Sequence, residues 1–181
     1  MRNAYLMATS TTDPAAPQPY VIDELVCFAL YNASHAITQT YRSVLAPWGL
    51  TYPQYLVFVV LWNEGAMPLR DLGARLELDS GTLSPLTKRM EEAGYLERSR
   101  ASDDARVVTI GLTDKGERMR EELAAVPACV SGAMKLDRST AAQLRGMLHQ
   151  LADDTRSFDA ASSDPTSFDT TQTTGAPDAG R

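Results

Sequence analysis

The stretch that decides the fold is MPLRDLGARLELDSGTLSPLTKRMEEAGYLERSRASDDARVVTIGL, residues 67–112. Apolar residues recur every three or four positions in MPLRDLGARLEL and again in DSGTLSPLTKRMEEAGYL, and this spacing predicts two consecutive helices. Asp79 or Ser80 can cap the second helix, because either side chain accepts hydrogen bonds from backbone N–H groups, and Gly94 is suited to end it. The first half of the stretch therefore predicts a helix, a turn and a helix.

The remainder, YLERSRASDDARVVTIGL, predicts a β-hairpin, because two short strands of alternating character flank a polar tip at Ser102–Asp103–Asp104–Ala105. A helix-turn-helix followed by a hairpin is the plan of a domain that lays its second helix in the DNA major groove. We therefore predict a mainly α fold with a small β-hairpin (α+β), a winged helix-turn-helix. The plainer alternative is a small α+β domain that merely exposes one helix.

Helical patterns also precede this stretch. A long amphipathic pattern runs from about Val21 to Ala46, and the Pro-Trp-Gly sequence at 47–49 breaks it. A second helix, apolar nearly all round and therefore expected to be buried, follows with Pro53 in its first turn.

After the hairpin, Thr113 is placed to cap another helix, which Pro127 interrupts or kinks. A last amphipathic helix is predicted at about Arg138–Arg156. The helices at about 20–47 and 114–156 present more apolar surface than one small winged domain needs to cover. We therefore expect a homodimer with interleaved terminal helices, which would also place two recognition helices on a roughly palindromic DNA site.

The expected domain organisation follows from these patterns. A single domain covers residues 20–156 and contains a DNA-binding unit at about 66–112. Residues 1–19 are rich in Thr, Ala and Pro, and residues 157–181 are rich in Asp, Ser and Thr. Neither composition can bury a core, so both segments are expected to be disordered tails, the second of them acidic.

The composition is that of an ordinary globular protein, with 44% hydrophobic and 22% charged residues in a chain of 181. No apolar run approaches the roughly 20 residues that span a bilayer, and the first 20 residues lack the apolar core of a signal peptide. We therefore expect a cytoplasmic protein with no membrane partner.

The net charge of −6 at first argues against a DNA-binding protein. Residues 153–181, however, contain six aspartates against two arginines and carry much of that charge. Residues 80–102, which include the predicted recognition helix, contain four basic and three acidic residues. The charge distribution therefore permits nucleic-acid binding without suggesting it.

The two cysteines, Cys27 and Cys129, do not form a metal site by spacing, since neither has a second Cys or a His at ligand distance in the sequence. We expect no metal and no cofactor. Taken alone, Cys27 would most often be an inert buried thiol. Tyr31, at i+4 on the same helical face, and Tyr41, close to four turns further on, favour a more specific role for it.

With these residues in view, the chain resembles the MarR family of repressors, in particular the OhrR branch of organic-hydroperoxide sensors of the two-cysteine type. The segments that carry the resemblance are LVCFALYNASHAITQTYRSVLAPWGLTYPQYLVFVVLW, LDSGTLSPLTKRMEEAGYLERSR and DARVVTIGLTDKG, and it extends from about Leu25 to Leu151. It implies a redox-sensing, DNA-binding transcriptional repressor that is not an enzyme.

The resemblance further implies that Tyr31, Tyr41 and Tyr52 support the thiolate of Cys27, with tyrosines hydrogen-bonding the cysteine across the dimer. Tyr41 cannot reach Cys27 within one helix, because 14 residues at the α-helical rise separate them by roughly 21 Å. If the contact exists, an antiparallel helix of a partner must supply Tyr41, and the same holds for Tyr52. The alternative is that these tyrosines merely pack a dimer core.

The mechanism that the resemblance implies is a redox switch. An organic hydroperoxide oxidises Cys27 to a sulfenic acid, which forms an intersubunit disulfide with Cys129, and the dimer releases its operator. Peroxide-detoxification genes would then be derepressed. The chain departs from the family at Ala105, where an acidic residue is common, but it keeps the Asp104 and Arg106 that would bring an arginine to the minor groove.

The candidate DNA-binding residues lie on the second helix and the wing. They are Asp79, Ser80, Thr82, Ser84, Lys88, Arg89, Arg98, Arg100, Asp104 and Arg106. Lys88 and Arg89 are equally compatible with solvent exposure or with pairing to nearby glutamates. Pro85 is unexpected inside a helix, so either the helix begins later than predicted or it tolerates a kink.

Two other functions remain to be weighed. A winged-helix repressor could instead respond to non-covalent binding of a small phenolic or aromatic ligand, with Cys27 incidental, and would then still respond after Cys27→Ser. A thiol peroxidase would turn over hydroperoxide far beyond one equivalent per Cys27. Against an enzyme, the sequence contains no CxxC motif, no catalytic His–Cys arrangement and no phosphate-binding loop.

Overall fold

The computed structural model describes residues 21–100 and 107–157, except for the side chain of Arg100. The helices are α1 (Val26–Leu45), α2 (Tyr52–Glu64), α3 (Leu69–Leu76), α4 (Ser80–Glu92), α5 (Asp114–Glu122), α6 (Val126–Met134) and α7 (Arg138–Arg156). The strands are β1 (Met67–Pro68), β2 (Leu96–Arg100) and β3 (Val108–Leu112). Two predicted features lie outside the described residues, namely the tails, apart from Ser157, and the wing tip. The mainly helical winged helix-turn-helix is confirmed.

The sheet has three antiparallel strands in the order β1-β3-β2. The predicted hairpin is present, with Leu96 opposite Leu112. The first helix covers the Leu69, Leu72 and Leu76 positions that predicted it, whereas Met67 and Pro68 form β1 opposite Ile110 and Thr109, a strand that the sequence did not predict. Proline cannot donate to a ladder, and β1 accordingly lies at the edge of the sheet, where that loss is tolerated.

Helix α4 begins at Ser80, and Asp79 is its cap, which decides between the two capping candidates. The Asp79 carboxylate accepts a hydrogen bond from the backbone N–H of Thr82 at 2.9 Å. Pro85 lies inside the helix, so the helix tolerates the proline rather than starting after it. Gly94 ends the turn with φ of 76°, the left-handed conformation that glycine adopts without strain.

Helix α1 starts later than predicted. A separate 3₁₀ turn covers Ile22–Glu24, and Leu25 is extended between that turn and α1. The predicted break after α1 is confirmed, since Gly49 adopts a φ of 64°. Helix α2 then begins with a capping box, in which Gln54 Oε1 accepts the Thr51 backbone N–H at 2.8 Å.

The C-terminal helices follow the prediction with one refinement. Thr113 caps α5 by accepting the Gly116 N–H at 3.2 Å. The chain leaves the helix after Glu122, before the proline, and Pro127 lies in the first turn of α6, where its missing N–H has no helical partner to lose. Helix α7 has the predicted bounds, and its cap is Asp137.

The core lies among α2, α3, α4, the sheet and α5. Its fully buried side chains include Phe58, Leu72, Met90 and Ile110, and Thr87 is the buried polar residue of this core among those described. The chain divides into two compact units, one ending at Ala133 and the other, beginning at Met134, containing α7.

No single helix in the described ranges is both long and apolar enough to cross a membrane. Val26–Trp48 and Tyr52–Glu64 together reach the required length and hydropathy, but they are bent by 76° relative to each other. Several α2 side chains are buried in the core, as expected for the central helix of a folded domain.

Candidate redox and nucleic-acid site

Cys27 is the second residue of α1 and carries a free, exposed thiol. Tyr31, one turn further along, is 65% exposed, and its ring is stacked at 6.4 Å from that of Phe28 and 6.2 Å from that of His35. The chain alone therefore does not bury Cys27, which argues against an inert core thiol. It presents the cysteine and Tyr31 on one open face of α1.

Tyr41 and Tyr52 form a stacked pair, with ring centroids 4.0 Å apart, and Tyr55 lies 5.7 Å from Tyr41. Burial, and then the neighbouring Tyr52 and Tyr55, raise the pKa of Tyr41 to about 12. Burial also raises the pKa of Tyr52 and of Tyr55. All three phenols are therefore protonated at neutral pH, and the two half-buried ones, Tyr41 and Tyr52, remain accessible as O–H donors.

Cys27 and Tyr41 lie on one unbroken helix, so the predicted separation of roughly 21 Å along the axis applies. Tyr52, whose ring lies on that of Tyr41, belongs to the same distant end of α1. The structure thus brings two of the three predicted tyrosines together, but it does not bring them to the Cys27 of the same chain.

Cys129 lies in α6, beside the buried Val126 and Val130, and its thiol is free and exposed. Both cysteines are therefore accessible from outside the chain that carries them. In the described part of the chain, no group of three or more His, Cys, Asp or Glu side chains is arranged to hold a metal ion.

Helix α4 has one buried and one polar face. Leu83, Leu86 and Met90 lie in the core. The predicted contacts on the other face are exposed or half-buried; they are Ser80, Thr82, Ser84, Lys88 and Arg89. This is the distribution that a helix needs if it is to pack on a core and lie in a groove.

The charged residues near α4 differ in their partners. Lys88 Nζ lies 3.8 Å from Glu92 Oε1, and both side chains are well exposed, so the pair is weak. Arg89 is exposed and has no ion pair among the described residues. Hydrogen bonds from Thr82 lower the pKa of Asp79, whose carboxylate is thus engaged in capping the helix.

The wing residues are only partly described. Arg98, on β2, forms an ion pair with Glu91 and donates a hydrogen bond to Thr87, both of which belong to α4. These internal partners were not anticipated from the sequence, because nothing in the spacing links a strand residue to two helix residues. Asp104, Arg106 and the side chain of Arg100 lie outside the described residues and stay predictions.

The sequence reasoning also missed the links to α5. Trp48 Nε1 donates to Glu122 Oε2 at 3.0 Å, and Trp62 Nε1 donates to the backbone carbonyl of Gly116 at 3.1 Å. Gly116 itself approaches Tyr95 so closely that a Cβ would overlap the Tyr95 carbonyl oxygen. The available signal was the indole N–H of each tryptophan, which usually finds a hydrogen-bond acceptor when the side chain is buried.

A cavity of about 940 Å³ opens between α3, the beginning of α4 and the sheet. Its walls are largely apolar; the described lining includes Pro68, Leu69, Leu78, Leu83 and Val108. No sequence pattern indicated it, because its walls come from four separate elements.

A model of the MarR family matches residues 50–108, which extend from the residue before the α2 cap into β3. The HTH-type transcriptional regulator TtmR of Methylorubrum extorquens (strain PA1) is 42% identical over 161 residues, covering 85% of this chain and 80% of TtmR. The organic hydroperoxide resistance transcriptional regulator of Bacillus subtilis (strain 168) is 36% identical over 130 residues, covering 72% of this chain and 88% of that protein.

Solved structures agree with these sequence relatives. Reduced AbfR bound to DNA, a protein of Staphylococcus epidermidis, matches with a TM-score of 0.62 and 34% identity over 72% of this chain and 91% of that one. AbfR with its disulfide formed matches with a TM-score of 0.52 and 35% identity over 72% and 86%. On this evidence, the chain belongs to the MarR family of transcriptional regulators.

Proposed function

We propose that this protein is a homodimeric repressor that binds operator DNA and is released from it when an organic hydroperoxide oxidises Cys27. The observation that carries the proposal is the arrangement on α1. An exposed thiol lies at one end of the helix, and a pair of protonated tyrosines lies at the other. An antiparallel second copy of α1 would bring the two together.

DNA binding is supported by the exposed polar face of α4 beside a hairpin. The relatives support it too, since AbfR has been solved on DNA and the matched proteins of known role are transcriptional regulators. We propose that α4 enters the major groove and that the wing contacts the flanking groove through Arg106. Contact with the chromosome in turn implies a cytoplasmic location.

Dimerisation is supported by apolar residues that the chain leaves open to water. Helix α7 has no buried residue, and its exposed apolar positions are Leu144, Met147, Leu148 and Leu151. The beginning of the described chain is similar, with Val21, Ile22, Leu25 and Val26 exposed. Exposed apolar positions recurring on one helix face indicate a protein contact, and we propose that a second copy provides it.

The proposed chemistry needs a thiolate and a hydroperoxide. The Cys27 thiolate attacks the terminal peroxide oxygen, so an S–O bond forms, the O–O bond breaks, and the departing alkoxide takes a proton to become the alcohol. The sulfur is oxidised by two electrons and the hydroperoxide is reduced. Phenol O–H groups of a partner's Tyr41 and Tyr52 would donate to the thiolate and stabilise it over the thiol.

The proposed second step joins the two subunits. The thiolate of Cys129 of the partner subunit attacks the Cys27 sulfenic sulfur, forming the S–S bond and releasing hydroxide, which takes a proton to become water. The exposure of both thiols supports this step, as does the existence of a disulfide form of AbfR. Because Cys27 is at the start of α1 and Cys129 is in α6, the bond would fix two dimer helices and move the recognition helices off their sites.

The decisive experiment treats the reduced full-length protein with one equivalent of cumene hydroperoxide. Dimer formation is followed on a non-reducing gel, and DNA binding is followed with a duplex that the reduced protein selects from a random-sequence library. We expect a dithiothreitol-reversible dimer band and loss of DNA binding. Cys27→Ser should bind DNA and respond in neither assay, and Cys129→Ser should give no dimer band. Release of Cys27→Ser protein by the hydroperoxide would overturn the redox proposal.

The tyrosines have their own test. Tyr41→Phe removes one O–H donor while keeping the stacked ring, so the fraction of Cys27 present as thiolate should fall and oxidation should slow by about tenfold, the equivalent of one charge-assisted hydrogen bond. Stopped-flow oxidation of the reduced protein measures this rate. Tyr55→Phe is the matched control, because Tyr55 is buried in the core of its own chain. Equal rates for Tyr41→Phe and wild type would remove the tyrosines from the mechanism.

A second candidate function is a repressor that responds to non-covalent binding of a phenolic or aromatic ligand. The observation that favours it is the largely apolar cavity beside α3, whose volume falls within the range of small-molecule sites. In that case salicylate, used as a probe, would release Cys27→Ser protein from DNA, and Ala74→Leu, which enlarges an exposed side chain on the cavity wall, would abolish the response.

A further inference from the structure

Arg98 holds β2 against α4 through two hydrogen bonds from one guanidinium group. Its Nε lies 2.8 Å from Glu91 Oε2, and its Nη2 donates to Thr87 Oγ1 at 2.9 Å. The side chain is 28% exposed, and that of Glu91 is 38% exposed. A single residue of the first wing strand thus connects the strand to two successive turns of the recognition helix.

The Thr87 end of this connection is rigid. Thr87 is fully buried, and its hydroxyl donates to the backbone carbonyl of Leu83 at 3.0 Å or of Ser84 at 3.2 Å. Its oxygen then accepts from Arg98, so the position of Arg98 relative to α4 is fixed by the helix backbone. The planar fork of an arginine can satisfy two such partners at a set geometry, which the single ammonium of a lysine cannot do.

The ion pair with Glu91 removes most of the electrostatic attraction that Arg98 would have for DNA. A guanidinium that is paired with a carboxylate presents little net charge to a phosphate. Lys88, by comparison, is 70% exposed and has only a distant partner at 3.8 Å. Of the three basic candidates Lys88, Arg89 and Arg98, Arg98 is the one that has two close partners within its own chain.

We infer that Arg98 is a positioning residue, which sets the angle between the wing and the recognition helix and does not itself contact DNA. The inference rests on the proposed DNA-binding function. When Arg98 contacts both Thr87 and Glu91, α4 and the wing bind a DNA site together. Without these contacts, β2 can shift relative to α4, and the contribution of the wing to DNA affinity falls. It also replaces the sequence-based expectation that Arg98 contacts DNA directly.

The test compares operator affinity among charge-matched variants of the reduced full-length protein, using the library-selected duplex and a shuffled duplex. We expect Arg98→Lys, which keeps the charge but loses the fork, to weaken binding to the selected duplex by roughly tenfold, within the range of coupled neighbouring residues. Glu91→Gln should weaken binding by a similar factor although it removes a negative charge. The double variant Arg98→Met/Glu91→Gln should bind no more weakly than Arg98→Met.

A direct phosphate contact gives the opposite pattern. Arg98→Lys would retain most of the affinity, and Glu91→Gln would leave it unchanged or increase it. The slope of log affinity against log salt would also become shallower by about 0.9 in Arg98→Met, as for each lost phosphate contact. Such a result overturns the inference. A positioning role predicts an unchanged slope, with Lys88→Gln as the control for a shallower one.

A hydroxyl-radical footprint separates positioning from simple stabilisation of the fold. At a concentration that saturates the duplex, Arg98→Met should lose protection at the flanks, where the wing lies, and keep it at the centre of each half-site. If Arg98→Met kept the wild-type protection at the flanks, or lost protection equally at the flanks and at the centre, the inference would be overturned. Circular dichroism establishes that each variant is folded under the assay conditions. If the wild-type protein selects no duplex at all, the proposed function itself is overturned and this inference falls with it.

Discussion

The winged unit, here residues 52–122 with α5 included, and helix α7 differ in where their apolar side chains lie. In the winged unit, Phe58, Leu72 and Ile110 are fully buried within one chain. Helix α7 is 19 residues long and has no buried residue, although its apolar side chains recur on one face. The winged unit is therefore complete within a single chain, and we infer that α7 requires a second copy to cover it. Stability and assembly should accordingly respond to different substitutions.

The largest effect is expected where the winged unit is packed most tightly. Gly116→Ala would place a Cβ on the Tyr95 carbonyl oxygen and 2.9 Å from Leu112 Cδ2, and the backbone cannot move away without breaking the α5 cap. We expect a loss of about 3 kcal/mol or more in the free energy of unfolding, because the clash is with backbone atoms. Urea unfolding followed by circular dichroism measures it. A loss below 1 kcal/mol in the free energy of unfolding would mean that the backbone here can move to accept the new methyl group. The winged unit would then be less tightly packed than its contrast with α7 implies.

The next effect concerns assembly. Leu148→Asp puts a charge on the apolar face of α7, and in a two-fold interface the change occurs twice, so we expect the dimer dissociation constant to rise by at least about a hundredfold. Sedimentation velocity at micromolar concentration measures the shift to monomer. His149→Asp, on the opposite side of the helix, is the matched control. A dimeric Leu148→Asp protein would remove α7 from the interface.

A smaller effect depends on pH and concerns the cap of the recognition helix. Hydrogen bonds from Thr82 hold the pKa of Asp79 below its usual range. The ionised carboxylate is thus favoured by folding, so its stabilising contribution is complete above the unfolded-state pKa of about 4 and is lost as the pH falls through the lower folded-state pKa.

We therefore expect Asp79→Ala to lower the urea midpoint at pH 7, with a difference from wild type that shrinks in acid. Asp79→Asn, which also caps helices well, should retain much of the stability and lose the pH dependence of this term. The urea midpoints of wild type and both variants, measured between neutral pH and pH 3, test this expectation. A difference that grows in acid would contradict the capping role.

The smallest effect is a gain. Gly146 lies in α7 on the side opposite Leu148, and a Cβ added there meets nothing within 4 Å. Gly146→Ala should stabilise α7 by about 0.5–1 kcal/mol, because alanine has less backbone freedom to lose on helix formation. Thermal unfolding monitored at the helical circular-dichroism band measures it. A destabilised variant would indicate that this side of α7 is covered too.

Patterns within one element were readable from the sequence. The spacing of Leu83, Leu86 and Met90 predicted the recognition helix, and the side-chain chemistry of Thr113 predicted the cap of α5. Both features depend on residues within a turn or two of each other, where the helical repeat fixes which side chains meet.

Features that join distant segments were not readable. Strand β1 consists of two residues, and what makes it a strand is pairing with Ile110, more than 40 positions away. The contacts of Arg98 with Thr87 and Glu91 likewise depend on the docking of β2 against α4, and nothing in the sequence distinguished Arg98 from the other arginines of the wing. The stacking of Tyr41 on Tyr52 depends on the turn between α1 and α2, whose angle no local pattern specifies.

The two indole hydrogen bonds to α5 give the protein a built-in optical probe. The chain has two tryptophans, Trp48 and Trp62, and each donates its N–H to a residue of α5, Glu122 or Gly116. Residues 134–157 contain neither tryptophan nor tyrosine. The emission of the unlabelled protein therefore reports how firmly α5 is attached to the ends of α1 and α2 and has no signal from α7, so one spectrum separates a disturbance of the winged unit from a disturbance of assembly.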